Sequence, residues 1–482
     1  MIDWPNPFLV KVNRFQLAKL LIKEVFHQRG DLNAITSRPC IYGTFSGPIG
    51  GFAPRPQHCV GCLRCTTQHP ETVSVLPNPA RQTLGDSYFG TEYINTVAYE
   101  AATGSIPVKG AGYRGKFGGE GWDGMWTDMS EIVRPTRDGI HGREFISTVV
   151  DIGEKPAYLV FDENRQPIGT VPRAFSIPTP FIFDLPPASV ASKNVSQILA
   201  QAAFDIQSLA IIPISMITKT GLDQIYQSDI GSGKQGIVPE NEKDAAGFRN
   251  SERSVVPLVR TEEIAQLADL SFSPVMVELN AMDLAISNLE SIIFKLQSLL
   301  PDTIIALRHP FVNWIALKPY YEVGIRVFHL IANYHGRDLN GTFVLDLIRT
   351  THQTLVEDGI RDEITLIGSG GIIASDHVPK AIICGLDLVA LDTPLMVALQ
   401  GDFILECVNR VDAIFSLPDL LNPEWGIQRI KNMTAAWRDQ LLEILGAMGL
   451  REVRRLRGEV GRAMFQVDLE REAFAEIDGY QE

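Results

Sequence analysis

The chain has 482 residues, 45% hydrophobic and 21% charged, which supplies a sizeable core for one large domain with one or two smaller ones. Its formal net charge of -14 and pI of about 5.2 argue against nucleic-acid binding as its main business, while leaving room for a local basic pocket. No apolar run has the length to span a bilayer and Met1-Ile2-Asp3-Trp4 does not open a signal peptide, so the reading is a cytoplasmic protein.

The first predicted element is a helix over 14–27, with Phe15, Leu17, Leu20, Leu21 and Val25 on one face. Residues 38–80 follow, rich in Gly, Pro and Cys and without sustained periodicity, so something other than an apolar core must order them. Six cysteines occur in the chain, three of them as Cys59-Val-Gly-Cys62-Leu-Arg-Cys65 with Cys40 upstream. Without a secretory signal, such a group points to metal rather than to disulfides. The C-x2-C-x2-C run with Pro70 shortly after resembles the iron–sulfur loop of bacterial ferredoxins, where two-residue gaps let the loop wrap a cubane. It departs from that loop at His69, which stands where a fourth cysteine would be. Cys40 is therefore the chosen fourth ligand of a [4Fe–4S] cluster, with His69 and Cys407 as alternatives and a structural zinc as the competing metal.

Residues 104–145 are dense in glycine and polar groups, too long for an idle loop. Their aromatics Tyr113, Phe117, Trp122 and Trp126 favour order. A small hairpin is expected over 157–172. From about 178 short apolar strands alternate with helices. Strands are predicted at 181–184, 209–213, 224–228, 275–279, 303–307, 327–332, 364–367 and 388–391. Helices are predicted at 189–203, 282–299, 342–357 and 376–384. Eight such strands define a (β/α)8 TIM barrel, with an N-terminal Cys-rich segment before it and a helical extension after it. The third strand is the weakest, because 255–259 is also strand-like although Pro257 disfavours a central position. The expected division is 1–100, 101–177, 178–410 for the barrel and 411–482, where 426–448 is an amphipathic helix. The arginine-rich run from Arg451 to Arg462 reads as a solvated face or an interface.

The last two barrel units carry the strongest functional signal. One strand ends in Gly368-Ser369-Gly370-Gly371 and the next in Asp392-Thr393-Pro394. Loops after strands seven and eight commonly hold phosphate in such barrels. Glycines there let backbone amides close on an anion. The expected ligand is FMN or a phosphorylated substrate, with the amides of Ser369, Gly370, Gly371 and Thr393 on its phosphate. The alternative is a strand–turn–helix whose glycines only serve the turn.

Several blocks resemble the glutamate-synthase-like flavoproteins, namely the FMN-binding synthase domain of glutamate synthase and methylamine–glutamate N-methyltransferase large subunits. They are Gly119-Glu-Gly-Trp-Asp, the stretch Thr127–Glu144 numbered 127–144, Gly368-Ser-Gly-Gly with Asp392-Thr-Pro-Leu, Leu445-Gly-Ala-Met-Gly, and Arg455-Leu-Arg-Gly-Glu-Val-Gly-Arg. The resemblance implies an FMN barrel beside an iron–sulfur cluster, reducing a 2-imino acid. Three departures matter. The cysteine-rich loop expected after strand eight keeps only Cys407. The glycine-rich His-Asp-Gly-Gly-Thr-Gly stretch after strand six is replaced by Asn333-Tyr334-His335-Gly336-Arg337-Asp338. The expected strand-five lysine is absent, with Arg308 and His309 in its place. No glutaminase domain or N-terminal nucleophilic cysteine is evident, so the implied partners are an electron-donor or acceptor protein and a separate glutaminase or amidotransferase subunit, in an oligomer.

By position at strand ends, Asp184, Glu278, Asn280, Arg308, His309, His335, Arg337 and Asp338 are candidates for chemistry. Arg308 is chosen to stabilise a reduced anionic flavin, and His335 or Asp338 to deliver a proton. Gly231-Ser-Gly-Lys234-Gln-Gly236 is a candidate carboxylate loop. The expected function is an FMN- and iron–sulfur-dependent oxidoreductase acting on an amino or imino acid. The alternatives are an electron-transfer subunit without its own substrate and a non-catalytic barrel scaffold.

Overall fold

The structure is a computed structural model that describes residues 4–31, 40–107, 118–128, 145–155, 160–168, 173–217, 254–270, 272–281, 288–477 and 479. Eight parallel strands close into a barrel in chain order: β1 (Phe181–Phe183), β2 (Ala210–Pro213), β3 (Val255–Val259), β4 (Met276–Asn280), β5 (Ile304–Pro310), β6 (Val327–Ile331), β7 (Thr365–Ser369) and β8 (Leu388–Leu391). Closure comes from β8 on β1, with Val389 opposite Phe181 and Leu391 opposite Phe183. Strands such as FIF, VFHLI and LVAL are almost continuously apolar because a parallel barrel buries both of their faces. Among the polar residues of the eight strands, Glu278, Arg308, His329, Thr365 and Ser369 are buried, and Asn280 and His309 are partly so.

The helices among the described residues include α1 (Arg14–His27), α2 (Thr91–Thr103), α3 (Lys193–Asp205), α4 (Leu289–Leu299), α5 (Trp314–Glu322), α6 (Val344–Glu357), α7 (His377–Cys384), α8 (Thr393–Ala398) and α9 (Pro423–Ala447). Their starts follow ordinary capping chemistry. The Ser192 hydroxyl accepts from the Val195 amide at 3.2 Å, and the Asn422 side chain accepts from Trp425 at 3.0 Å ahead of Pro423. A hydroxyl or amide at that position satisfies a donor that the first helical turn leaves open. α4 begins later than the predicted 282, and residues 282–287 lie outside the described set.

The third strand corrects the sequence reading. The ring of eight closes with Val255–Val259 as β3, paired to β2 from Val255 to Leu258. Residues 224–228 lie outside the described set, as does the loop carrying Lys234. Pro257 stands opposite Ile212 of β2, and pairing to β4 starts only at Leu258, so the proline has one paired neighbour rather than two.

The segments flanking the barrel pack on one another. α2 lies against α9, where the Trp437 indole donates to Glu100 at 2.8 Å and the Gln440 amide to the same carboxylate at 2.7 Å. Met125–Thr127 pairs antiparallel with Ala463–Phe465, tying the glycine-rich region to the C-terminal extension. The predicted hairpin appears as Val160–Phe161 paired with Pro167–Ile168. No helix among the described residues is long and apolar enough to cross a membrane.

Candidate functional site

The C-terminal mouth of the barrel is filled by ionisable side chains. Arg308, from β5, donates to Asp184 through both terminal nitrogens at 2.7 and 3.3 Å and to Glu278 of β4 at 3.4 Å. His329 of β6 places Nδ1 against Glu278 and 3.2 Å from Arg308, and its Nε2 is buried without a hydrogen-bond partner. A second guanidinium, Arg410, enters from the loop after β8. Its Nε donates to the Ala332 carbonyl at 2.7 Å, Nη1 to Asp184 at 3.1 Å, and Nη2 to Asp392 at 2.7 Å and the Ser369 hydroxyl at 3.1 Å. Tyr334 lies under it, with the guanidinium carbon 4.8 Å from the ring centroid.

These contacts set the charges. Burial alone would raise the Asp184 carboxyl, but Arg308 and Arg410 outweigh it and hold the group well below its ordinary value. Asp392 ends the other way: burial raises it, Arg410 offsets that only in part, and nearby Asp184 adds to the rise. Both arginines stay firmly protonated, since their carboxylate partners outweigh burial.

The glycine turn after β7 is present as expected. Gly370 and Gly371 have φ of 95° and 72°, where only glycine is comfortable, and a Cβ on Gly370 would meet the Asn333 carbonyl at 2.5 Å. The amides chosen for a phosphate are in part used internally. Gly371 donates to the Tyr334 carbonyl at 3.2 Å and Thr393 to its neighbour's carboxylate, Asp392, at 2.6 Å. The Thr393 hydroxyl donates to the same oxygen at 2.9 Å. The Gly371 carbonyl receives the Tyr88 hydroxyl at 2.7 Å and the Trp122 indole at 2.9 Å, so the glycine-rich segment reaches the site through Trp122.

The three residues chosen for catalysis fall into separate hydrogen-bond networks. Arg308 is neutralised in the mouth. His335 pairs through Nε2 with Asp86 at 2.8 Å and stacks on Tyr88 at 5.2 Å between centroids. Asp338 holds a surface turn, accepting from Asn340 at 2.9 Å and Thr342 at 2.8 Å. Sequence reasoning missed Arg410, His329, Tyr334 and Asp86. A signal for Arg410 existed: a carboxylate at the end of a buried strand, Asp392, requires a cation from somewhere.

Four thiols converge in the N-terminal segment. Cys40, Cys59, Cys62 and Cys65 line one small cavity together with Val10, Phe45, Leu63 and Val75. The pair Phe8–Val12 and Val73–Pro77 forms its floor. Gly61 and Leu63 take φ of 70° and 55°, which wraps the loop. Gly61 must be glycine, since a Cβ would lie 2.2 Å from the Phe8 ring. Burial pushes the Cys59 thiol up to about 11, and the three other cysteines of the cavity add to the rise. Neither His69 nor Cys407 lines the cavity. Cys407 is buried elsewhere, with Sγ 3.4 Å from the Ile414 carbonyl.

The strand order and the ion-filled mouth define a closed parallel (β/α)8 protein with a glycine turn and a fixed cation at the ends of β7 and β8. Residues 332–451, which span that turn, match the conserved region in glutamate synthase. The archaeal-type glutamate synthase [NADPH] of Dehalococcoides mccartyi is 25% identical over 447 residues, covering 84% of this chain and 86% of that protein. The archaeal glutamate synthase [NADPH] of Archaeoglobus fulgidus is 25% identical over 83% of this chain and 84% of its own length. That of Methanocaldococcus jannaschii is 38% identical over a shorter 132-residue stretch, 26% of each chain. The chain is thus similar to archaeal-type glutamate synthases over most of its length, at 25% identity. Among solved structures, a mutant flavocytochrome b2 with pyruvate bound overlays 68% of this chain and 78% of its own, with a TM-score of 0.40 and 11% identity, a likeness too slight to add to what the strand order shows.

Proposed function

We propose that this protein is an FMN-dependent oxidoreductase acting on an amino or imino acid, with a [4Fe–4S] cluster on Cys40, Cys59, Cys62 and Cys65. The observation that carries the reading is that the region matched to glutamate synthase contains the glycine turn, Ser369, Thr393 and Arg410. Those groups fit a phosphate by chemistry: the Thr393 hydroxyl and the Arg410 guanidinium converge on an anion, at present the Asp392 carboxylate, and the Ser369 hydroxyl accepts from the same guanidinium. Bound flavin would supply hydride chemistry at the mouth.

The chain's own residues would orient and exclude water around it. Arg308 cannot act as a free cation toward a reduced ring, because Asp184 and Glu278 already hold it. Its role here is to fix Asp184 and the floor of the site. His335, oriented by Asp86, is the better proton carrier of the two candidates, since both Asp338 oxygens are engaged by its own turn.

The run Cys59-x2-Cys62-x2-Cys65, with Cys40 on the same cavity, supports a cubane over a single zinc ion, and such a cluster implies exchange with an electron-donor or acceptor protein. Ammonia from a separate amidotransferase subunit completes the reading.

The test is anaerobic purification followed by cofactor extraction and titration with 2-oxoglutarate plus ammonia, or with glutamate. FMN bleached or restored by these compounds supports the reading, and protein without flavin sinks it. Iron and labile sulfide should each approach about four per chain and fall together in Cys40→Ser. Stoichiometric zinc without sulfide would replace the cluster. If a redox protein reduces the flavin while neither amino-acid mixture perturbs it, the chain is an electron-transfer subunit.

A further inference from the structure

We propose that Arg410 is the phosphate-anchoring residue of the β7–β8 site and that Asp392 is an internal anion occupying its place until a ligand's phosphate displaces it. This rests on the flavin reading above. Three donors meet on Asp392: Arg410 Nη2 at 2.7 Å, and the Thr393 backbone amide and side-chain hydroxyl at 2.6 and 2.9 Å. Ser369 adds a hydroxyl 3.1 Å from the same guanidinium nitrogen. An incoming phosphate would seek the same set, because a guanidinium and hydroxyls recognise phosphate as they recognise carboxylate.

Arg410 is built to stay while Asp392 leaves. Its Nε is tied to the Ala332 carbonyl, Nη1 to Asp184, and its plane rests on Tyr334, so only Nη2 faces the exchangeable partner. The Arg410 side chain is 17% exposed whereas Asp392 is fully enclosed, so an approaching anion meets the cation first. Burial also raises the Asp392 carboxyl, which eases its release as a neutral acid.

Asp392→Asn keeps the shape and removes the competing charge. FMN should then bind about tenfold tighter or more, while riboflavin, which lacks the phosphate, should bind unchanged. The double variant Asp392→Asn/Arg410→Gln, which removes both charges of the pair and leaves Asp184 to Arg308, should lose that gain. Equilibrium flavin-fluorescence titration reads all of these without turnover. An FMN affinity that is unchanged or weaker in Asp392→Asn, with the wild type binding FMN, overturns the proposal. If no flavin binds either protein, the flavin reading fails and inorganic phosphate decides the anchor by thermal shift. Stabilisation of Asp392→Asn beyond wild type supports the anchor for another phosphorylated ligand, and no stabilisation overturns it.

Discussion

The two ends of the barrel solve the same electrostatic problem in opposite ways. At the N-terminal end, the one buried carboxylate of Asp387 faces Arg361 at 2.9 Å, Lys155 at 2.9 Å and Arg457 at 3.0 Å, and also accepts the Leu366 amide at 2.8 Å. Burial would raise that carboxyl, and three cations outweigh it, leaving it well below its ordinary value. At the C-terminal mouth three carboxyl groups share two guanidinium groups, and Asp392 is left raised. The lower end is saturated and serves stability. The upper end is short of positive charge, which is the condition for exchanging one anion for another.

The largest effect expected from this contrast is at the lower end. Asp387→Ala leaves Arg361 and Lys155 without their carboxylate and Arg457 with Asp362 alone, and should cost about 3–5 kcal/mol in urea unfolding, without a specific change in FMN affinity. If Asp392→Asn proves equally costly, the two ends are alike and the contrast fails.

A pH experiment sharpens the comparison next. His377, stacked near Trp122 at the mouth, is held neutral because burial lowers it from 6.5 to about 4. The unfolded chain takes up a proton below pH 6.5 and the folded chain does not until about 4, so stability rises with pH across that window. Acidification through it should cost about 3 kcal/mol at this group, and His377→Gln should remove that part of the slope, leaving the part due to His352, which burial lowers to about 4 as well.

The acid limb below that separates the carboxyls by sign. Asp387 is depressed, so its contribution is present above the ordinary carboxylate range, about 3.9, and is lost as pH falls below it. Asp392 is raised, so in the folded state it takes its proton before the unfolded chain does, and mild acid favours the fold at that group. Urea unfolding as a function of pH should therefore show a shallower acid limb for Asp387→Asn and a small change of opposite sign for Asp392→Asn. The smallest effect is at the rim: Asp338→Asn, in its exposed turn, should change stability by no more than about 0.5 kcal/mol and leave flavin content intact. A large loss of flavin there would return Asp338 to the site.

Much of this molecule was legible as local pattern. Alternating apolar strands and helices gave the barrel, and Gly368-Ser369-Gly370-Gly371 gave the turn, because a positive φ at two successive residues admits little but glycine. The spacing of Cys59, Cys62 and Cys65 marked the thiol cavity, because a loop's wrapping is set by neighbouring residues. Strand three was misplaced for a non-local reason: Pro257 is harmful or harmless according to when its neighbour strand begins to pair. The convergence of Arg410 on Asp184, Ser369 and Asp392 was hidden for the same reason, since these residues are separated by as many as 226 positions. Periodicity and glycine geometry are properties of adjacent residues, so the sequence determined the elements and the turn. Charge compensation is a property of distance in space, so only the closed barrel decided which cation each buried carboxylate would meet.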